Sequence, residues 1–288
     1  MTIATLIAAG RLDERLLDAA LARLPGVRFA GWIDEGDAVD IEADAVRPSI
    51  RAAYEGWEGL DIVAHPPGPR EKKLLVADMD STMIGQECID ELADYAGVKP
   101  QVAEITERAM HGELDFAGAL QERVALLKGL DEEVIFQCLS ERIRLTPGAA
   151  TLVGTMRTRG AHTILVSGGF TAFVEPIARQ LGFDRFEANI LGVRDGKLTG
   201  TTDGRVVDSR VKHDTLVEAR ERLGLAAEDT LAIGDGANDI PMVEEAGLGV
   251  AYRAKPALSA VADARLDHHD LTALLWAQGI PRSEWIED

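Results

Sequence analysis

The residues best placed to do chemistry are two aspartates one residue apart, Asp78 and Asp80, followed at once by two hydroxyls, Ser81 and Thr82. Carboxylates held that close repel each other unless a cation lies between them. The stretch therefore invites a hard divalent cation, and it offers a nucleophile beside an acid/base. Its other reading is a capped turn, since Asp, Ser and Thr all cap helices well. Four apolar residues, Leu74-Leu75-Val76-Ala77, run into it and read as a buried parallel strand. That sets the polar group at the strand's carboxyl end, where open α/β sheets keep their ligands.

Three later stretches weigh against a mere turn. Val166-Ser167-Gly168-Gly169 ends a strand with a hydroxyl and with glycines whose backbone lets an anion approach. Lys212, at the start of a helix, supplies a cation that can neutralise phosphate charge. Gly234-Asp235-Gly236-Ala237-Asn238-Asp239 follows another strand. It differs from a dinucleotide fingerprint, because Asp239 stands where a third glycine belongs and would repel a pyrophosphate. Two acids and an amide suit a metal and its surroundings better.

The elements that must hold these groups are readable in outline. Residues 1–67 give strand, helix, strand, strand, helix, strand: Thr2 to Ala8, Asp13 to Leu24, Val27 to Ile33, Ala38 to Ile41, Ala45 to Tyr54 and Leu60 to Ala64. That βαββαβ order is ferredoxin-like. His65-Pro66-Pro67-Gly68-Pro69 is the linker, since neither regular structure continues through it. After the strand to Asp78, residues 86–144 read as helical: Glu87 to Ala96, Gln101 to His111, Asp115 to Leu127 and Asp131 to Arg142. Such an insertion is suited to cover a site as a lid, or to serve as a plain subdomain. Strands at 161–166, 230–233 and 248–251 alternate with helices and indicate a parallel sheet with helices on both faces. Phe186 to Val207 reads as an antiparallel excursion turning at Arg194-Asp195-Gly196-Lys197.

Composition narrows the partners. The 288 residues carry a formal charge of −19, from 49 acidic and 30 basic side chains, which argues against nucleic acid and anionic membranes. The 2 cysteines, Cys88 and Cys138, make no C-x-x-C pair, which fits a reducing compartment. No run approaches the length of a membrane span, and Met1 to Gly10 lacks the basic start of a signal peptide, so the chain reads as cytoplasmic. His268-His269 is a poor metal pair, because adjacent residues of a helix do not share a face.

D-x-D-S-T at 78–82, S-G-G at 167–169, Lys212 and G-D-G-x-N-D at 234–239, in that order and at strand ends, resemble the haloacid dehalogenase superfamily of phosphotransferases. The helical insertion, with Glu87 at the expected spacing and the run Arg123-Val124-Ala125-Leu126-Leu127-Lys128-Gly129-Leu130, resembles the phosphoserine phosphatase family within it. The resemblance covers roughly residues 73–267. It implies a Rossmann-like core at 73–85 and 145–288, a helical cap at 86–144 inserted after the first core strand, and a linker at 68–72. A small α+β unit at 1–67, like an ACT domain in topology only, precedes them.

The same resemblance implies the roles. Asp78 would be the nucleophile and Asp80 the general acid/base. Mg²⁺ would sit on Asp78, the backbone carbonyl of Asp80 and Asp235, with Asn238 and Asp239 supporting that shell and Asn238 bordering the substrate. Ser167, Gly168 and Lys212 would hold the phosphate. Glu87 would pair with a substrate ammonium and Arg123 with its carboxylate, while Met110 and Phe116 would exclude water. The plain alternative makes Glu87 and Arg123 helix-surface charges, and Met110 and Phe116 lid core. The implied reaction is hydrolysis of a small molecule, O-phosphoserine, as the last step of serine biosynthesis. The alternative is a phosphatase or phosphotransferase for another small phosphomonoester, with homoserine as one acceptor. For residues 1–67, a packing or homodimer role stands ahead of effector sensing, because Ala9-Gly10-Arg11-Leu12 lacks a clear effector-binding pattern.

Overall fold

The computed structural model describes residues 1–110 and 113–287, apart from the side chain of Met110. The role expected for Met110, and the helix end expected at His111, therefore lie outside what is described.

The chain opens with β1 (Thr2–Ile7), α1 (Glu14–Leu21), β2 (Arg28–Asp34), β3 (Ala38–Ala43), α2 (Arg47–Tyr54) and β4 (Asp61–Ala64). These form a four-stranded antiparallel sheet in the order β2-β3-β1-β4, the ferredoxin-like arrangement expected from pattern. Alternation explains it: Ala4, Leu6, Val39 and Ile41 point to one face and bury against Ala20, Ile50 and Tyr54 of the helices.

β5 (Leu74–Ala77) begins the second sheet and is buried on both faces. Four cap helices follow: α3 (Cys88–Tyr95), α4 (Lys99–Met110), α5 (Phe116–Ala125) and α6 (Glu133–Glu141). The chain re-enters the core at α7 (Ala149–Thr158), β6 (His162–Phe170), α8 (Thr171–Leu181), and the hairpin β7 (Arg185–Arg194) and β8 (Lys197–Asp203). It then crosses to the other side of β5 through α9 (Ser209–Leu223), β9 (Thr230–Gly234), α10 (Ile240–Glu245), β10 (Leu248–Tyr252), α11 (Pro256–Val261), β11 (Ala264–Leu266) and α12 (Ala273–Ala277).

The seven-stranded order is β11-β10-β9-β5-β6-β7-β8, parallel except for the antiparallel β7–β8 hairpin. The strand order reverses at β5, so the crevice beyond its carboxyl end is the topological switch point, where ligands of such sheets bind. Leu75 and Ile233 belong to the core on one face, Val76 and Ile164 to the core on the other. Burying each of these side chains stabilises the fold by roughly 1.5–3 kcal/mol. The expected excursion at 186–207 is a hairpin, but β7 also joins the main sheet, parallel to β6. Among the described residues, no helix is long and apolar enough to cross a membrane.

The N-terminal sheet is bolted to the core by polar contacts. Asp61 accepts from the amides of Asp267, His268 and His269, and its Oδ2 lies 2.8 Å from His269 Nδ1. His269 Nε2 accepts from Ala9 N at 3.1 Å. Asp34 Oδ2 accepts from Trp276 Nε1 and Arg282 N, and Arg70 pairs with Asp40. His268-His269 is thus a domain joint rather than a metal site. The segment read as a loose linker is partly interior: Lys72 is buried and donates to the carbonyls of Pro69 and Glu228.

Candidate active site

Asp78 follows the last residue of β5, and its own amide donates to Ile233 O of β9 at 3.0 Å. The backbone then leaves the sheet through a tight turn at Met79–Met83, in which Ser81 takes φ 54°. That left-handed backbone is unusual for serine, and such residues gather at functional sites.

Lys212, one turn into α9, is fully buried between two carboxylates. Its Nζ lies 2.7 Å from Asp78 Oδ1 and 2.7 Å from Asp239 Oδ1. α9 is aimed there by its cap, since Asp208 accepts from Val211 N at 3.0 Å. Asp239 spends its other oxygen on the amides of Asp235 and Gly236, at 3.1 Å each. Carboxylate oxygens of Asp78, Asp235 and Asp239 all lie within 4.8 Å of one another.

Three acids around one ammonium leave a negative remainder. Burial and then the Asp239 charge push the Asp78 carboxyl well above the usual range, with Lys212 opposing. Asp235 is pushed up to about 6 by burial, with Lys255 pulling it back and Asp239 raising it. Burial alone would lower the Lys212 ammonium, but the charges of Asp239 and Asp78 outweigh it and hold the group above its ordinary value. A divalent cation would relieve this repulsion, and an oxygen-only donor set suits a hard one. The residues present therefore fit a metal.

Asp80 points the other way, towards the cap and the Ser167-Gly168-Gly169 turn. Its Oδ1 accepts from Cys88 N at 3.0 Å, and Ser167 Oγ lies 3.4 Å from its Oδ2. Gly169 N donates to Ser167 Oγ at 2.8 Å, which fixes the hydroxyl at the end of β6. Burial first and the Glu87 charge second push Asp80 up to about 7, against hydrogen bonds from Cys88. Glu87 lies within reach of the same crevice, held by Ser81 Oγ at 2.8 Å.

Arg123 of α5 is turned inward. Its Nε donates to Ala119 O at 3.2 Å, and burial holds its pKa below the ordinary value, with Asp90, Glu87 and Asp80 opposing. Phe116 reaches across from the cap, so that a Cβ built at Gly168 would stand 2.8 Å from its Cζ. Asn238 is partly buried beside Gly236. The crevice thus gathers Asp78, Asp80, Glu87, Phe116, Arg123, Ser167, Gly168, Lys212, Asp235, Asn238 and Asp239, which are scattered over more than half the chain.

Sequence reasoning missed three supporting groups. Asn189 of β7 donates to Gly168 O and accepts from Val207 N, each at 2.8 Å, bracing the 167–169 turn against the segment before α9. In a strand that also carries Arg185, Glu187 and Arg194, Asn189 gave no distinct signal. The Lys255 amide donates to Asp235 O at 2.8 Å, and its Nζ lies 3.6 Å from Asp235 Oδ2. The Cys88 amide left no signal, because a backbone donor is independent of residue type.

Fold and clustered acids are those of a haloacid dehalogenase-like hydrolase, and the model of that family matches residues 72–247. A phosphoserine phosphatase of Archaeoglobus fulgidus is 44% identical over 242 residues, covering 83% of this chain and 70% of that protein. The chain spans only 56% of the corresponding enzyme of Mycobacterium tuberculosis. A solved structure described as a phospho-aspartyl intermediate analogue of phosphoserine phosphatase is 43% identical, with a TM-score of 0.67, covering 72% of this chain and 98% of that one. A probable phosphoserine phosphatase from Vibrio cholerae, 34% identical, aligns over 96% of this chain and 88% of its own with a TM-score of 0.79. The chain belongs to the phosphoserine phosphatase family of these hydrolases.

Proposed function

We propose that this protein hydrolyses O-phosphoserine to serine and phosphate, with Mg²⁺, through an aspartyl-phosphate on Asp78. The observation that carries the reading is Lys212 shared between Asp78 and Asp239 at 2.7 Å, with Asp80 turned to the opposite side of the same crevice. One carboxylate is thereby held for attack on phosphorus and the other for proton transfer.

Asp78 attacks the phosphorus in line, forming its own O–P bond as the bond to the serine oxygen breaks. Asp80 gives its proton to that oxygen. It then takes a proton from the water that attacks the aspartyl-phosphate, releasing phosphate and restoring Asp78. Ser167 Oγ–H, Gly168 N–H and Lys212 stabilise the phosphoryl oxygens as charge shifts. Asp78, the Asp80 carbonyl and Asp235 would hold Mg²⁺, with Asn238 and Asp239 in support, and when bound it would neutralise phosphate charge. Glu87 pairs with the substrate ammonium, and Arg123 takes the carboxylate. Phe116, from the cap, closes the crevice to water. Residues 1–67 serve to pack against the core.

The test is phosphate release with Mg²⁺ from phosphoserine, phosphothreonine, phosphoethanolamine, phosphoglycerate and an aryl phosphate. Preference for phosphoserine over both the ester lacking a carboxylate and the ester lacking an amine is expected. Activity on the aryl ester without that preference would retain the Asp78 chemistry and remove the substrate assignment.

A further inference from the structure

The cap does more than cover the crevice. α3 begins at Cys88, yet its N-cap residue, Glu87, makes no side-chain capping bond. The Glu87 carboxylate is committed to Ser81 instead. The first free N–H of the helix, that of Cys88, is satisfied from eight residues upstream, by Asp80 Oδ1 at 3.0 Å. The left-handed backbone of Ser81 turns the chain so that this is feasible. The second oxygen, Oδ2, faces the end of β6, where Ser167 Oγ lies 3.4 Å away and a Cβ at Gly169 would come within 2.7 Å.

We propose that the backbone N–H of Cys88 is a positioning group for Asp80, tying down Oδ1 so that the transferable proton rides on Oδ2, towards the leaving group. The inference rests on the acid/base role given to Asp80 above. An N–H aimed at Oδ1 takes up a lone pair there and disfavours a proton on the same oxygen, so the acid form is favoured on Oδ2, where the Ser167 hydroxyl turns from donor to acceptor. Because the donor belongs to the first turn of the cap, the helix that brings Glu87 into the crevice also sets the acid. Substrate recognition and proton delivery therefore share one element.

Cys88→Pro removes this donor selectively. Proline suits the first position of a helix, where its missing N–H breaks no intrahelical bond. The preceding residue must be extended, and Glu87 already is, with φ −97° and ψ 110°. Cys88→Ala, which retains the amide, is the reference for loss of the thiol.

The readout is the single-turnover rate of leaving-group release from phosphoserine, whose alkoxide needs a proton, and from p-nitrophenyl phosphate, whose phenolate does not. Relative to Cys88→Ala, Cys88→Pro is expected to slow phosphoserine cleavage about tenfold or more while changing aryl cleavage less than about twofold. Asp80→Asn is measured alongside. Equal losses on both esters in Asp80→Asn would overturn the acid/base reading, and the inference with it. Selective loss in Asp80→Asn, with Cys88→Pro silent or equally harmful to both esters, would overturn the positioning role alone. If circular dichroism shows Cys88→Pro unfolded, an amide-to-ester replacement at the same bond, built on Cys88→Ala, makes the same comparison.

Discussion

At the scale of the residue, the site is a problem in placing negative charge. Asp78 is tolerated in the interior because Lys212 touches it and Asp239 at once. Asp78→Asn should abolish turnover, by about 10³-fold or more, since an amide cannot form the acyl phosphate. Thermal unfolding with a chelator present should show no loss of stability, because the substitution removes a buried charge from beside Asp239. Arg123→Ala should lower kcat/KM for phosphoserine by about 10–100-fold, the worth of a charge-assisted pair, and spare an aryl phosphate. Equal loss on both would point away from carboxylate recognition. Asp78, Asp80, Asp235 and Asp239 could be read from the chain because chemistry demands acids at strand ends, whereas Glu87 and Arg123 came only through the resemblance to the family. What holds them could not: the Cys88 amide, the Ser81 hydroxyl on Glu87 and the Asn189 bracket depend on which segments meet.

At the scale of the element, two glycines of the core mark places where the cap comes close. At Gly168 the ring of Phe116 occupies the space of a missing Cβ. At Gly200, in β8, a Cβ would come 2.9 Å from Lys128 Cβ, and the 129–132 segment exchanges backbone hydrogen bonds with 196–198. The end of α5 is therefore stitched to the β7–β8 hairpin, whereas Phe116 meets the 167–169 turn by contact alone. Gly168→Ala should hold the cap away and lower kcat/KM about tenfold, and adding Gly168→Ala to Phe116→Ala should cost little more. Additive losses would show that the glycine serves phosphate approach instead. The cap helices and hairpin were visible in the sequence, because apolar spacing and an Asp-Gly turn mark them locally. α7 was passed over: its Thr, Val and Gly residues are weak helix formers, and its packing on the core overrides them. The parallel pairing of β7 with β6 also escaped, since pairing across a helix leaves no local mark.

At the scale of the whole molecule, the joint between the sheets carries its own titration. His65 Nε2 lies 2.8 Å from Thr5 Oγ1, in a cluster with Arg70 and Asp40. Burial, then the charges of Arg70 and Lys72, lower its pKa to about 3 from 6.5. Below about pH 6.5 the unfolded ring binds a proton and the folded ring does not. Stability present above that pH is therefore lost as pH falls towards 3, by at most ~1.4 kcal/mol per unit from this group. His65→Asn should remove that slope: urea midpoints at pH 7 and pH 5 should differ less in the variant than in the parent. An unchanged difference would mean that the ring protonates without consequence.

The bolts between the two sheets join segments more than 200 residues apart. Asp34 and Asp61 are made well before the amides and indole that satisfy them, from Asp267 to Arg282. During synthesis the first sheet must therefore wait, with these two carboxylates solvated, until residues 267–282 have emerged. A ribosome stalled before Ser259 would hold a chain whose first 67 residues lack these seats and also those of Arg51 on Ser259 and Ala262 and of Arg47 on Asp263, whatever the state of the catalytic sheet.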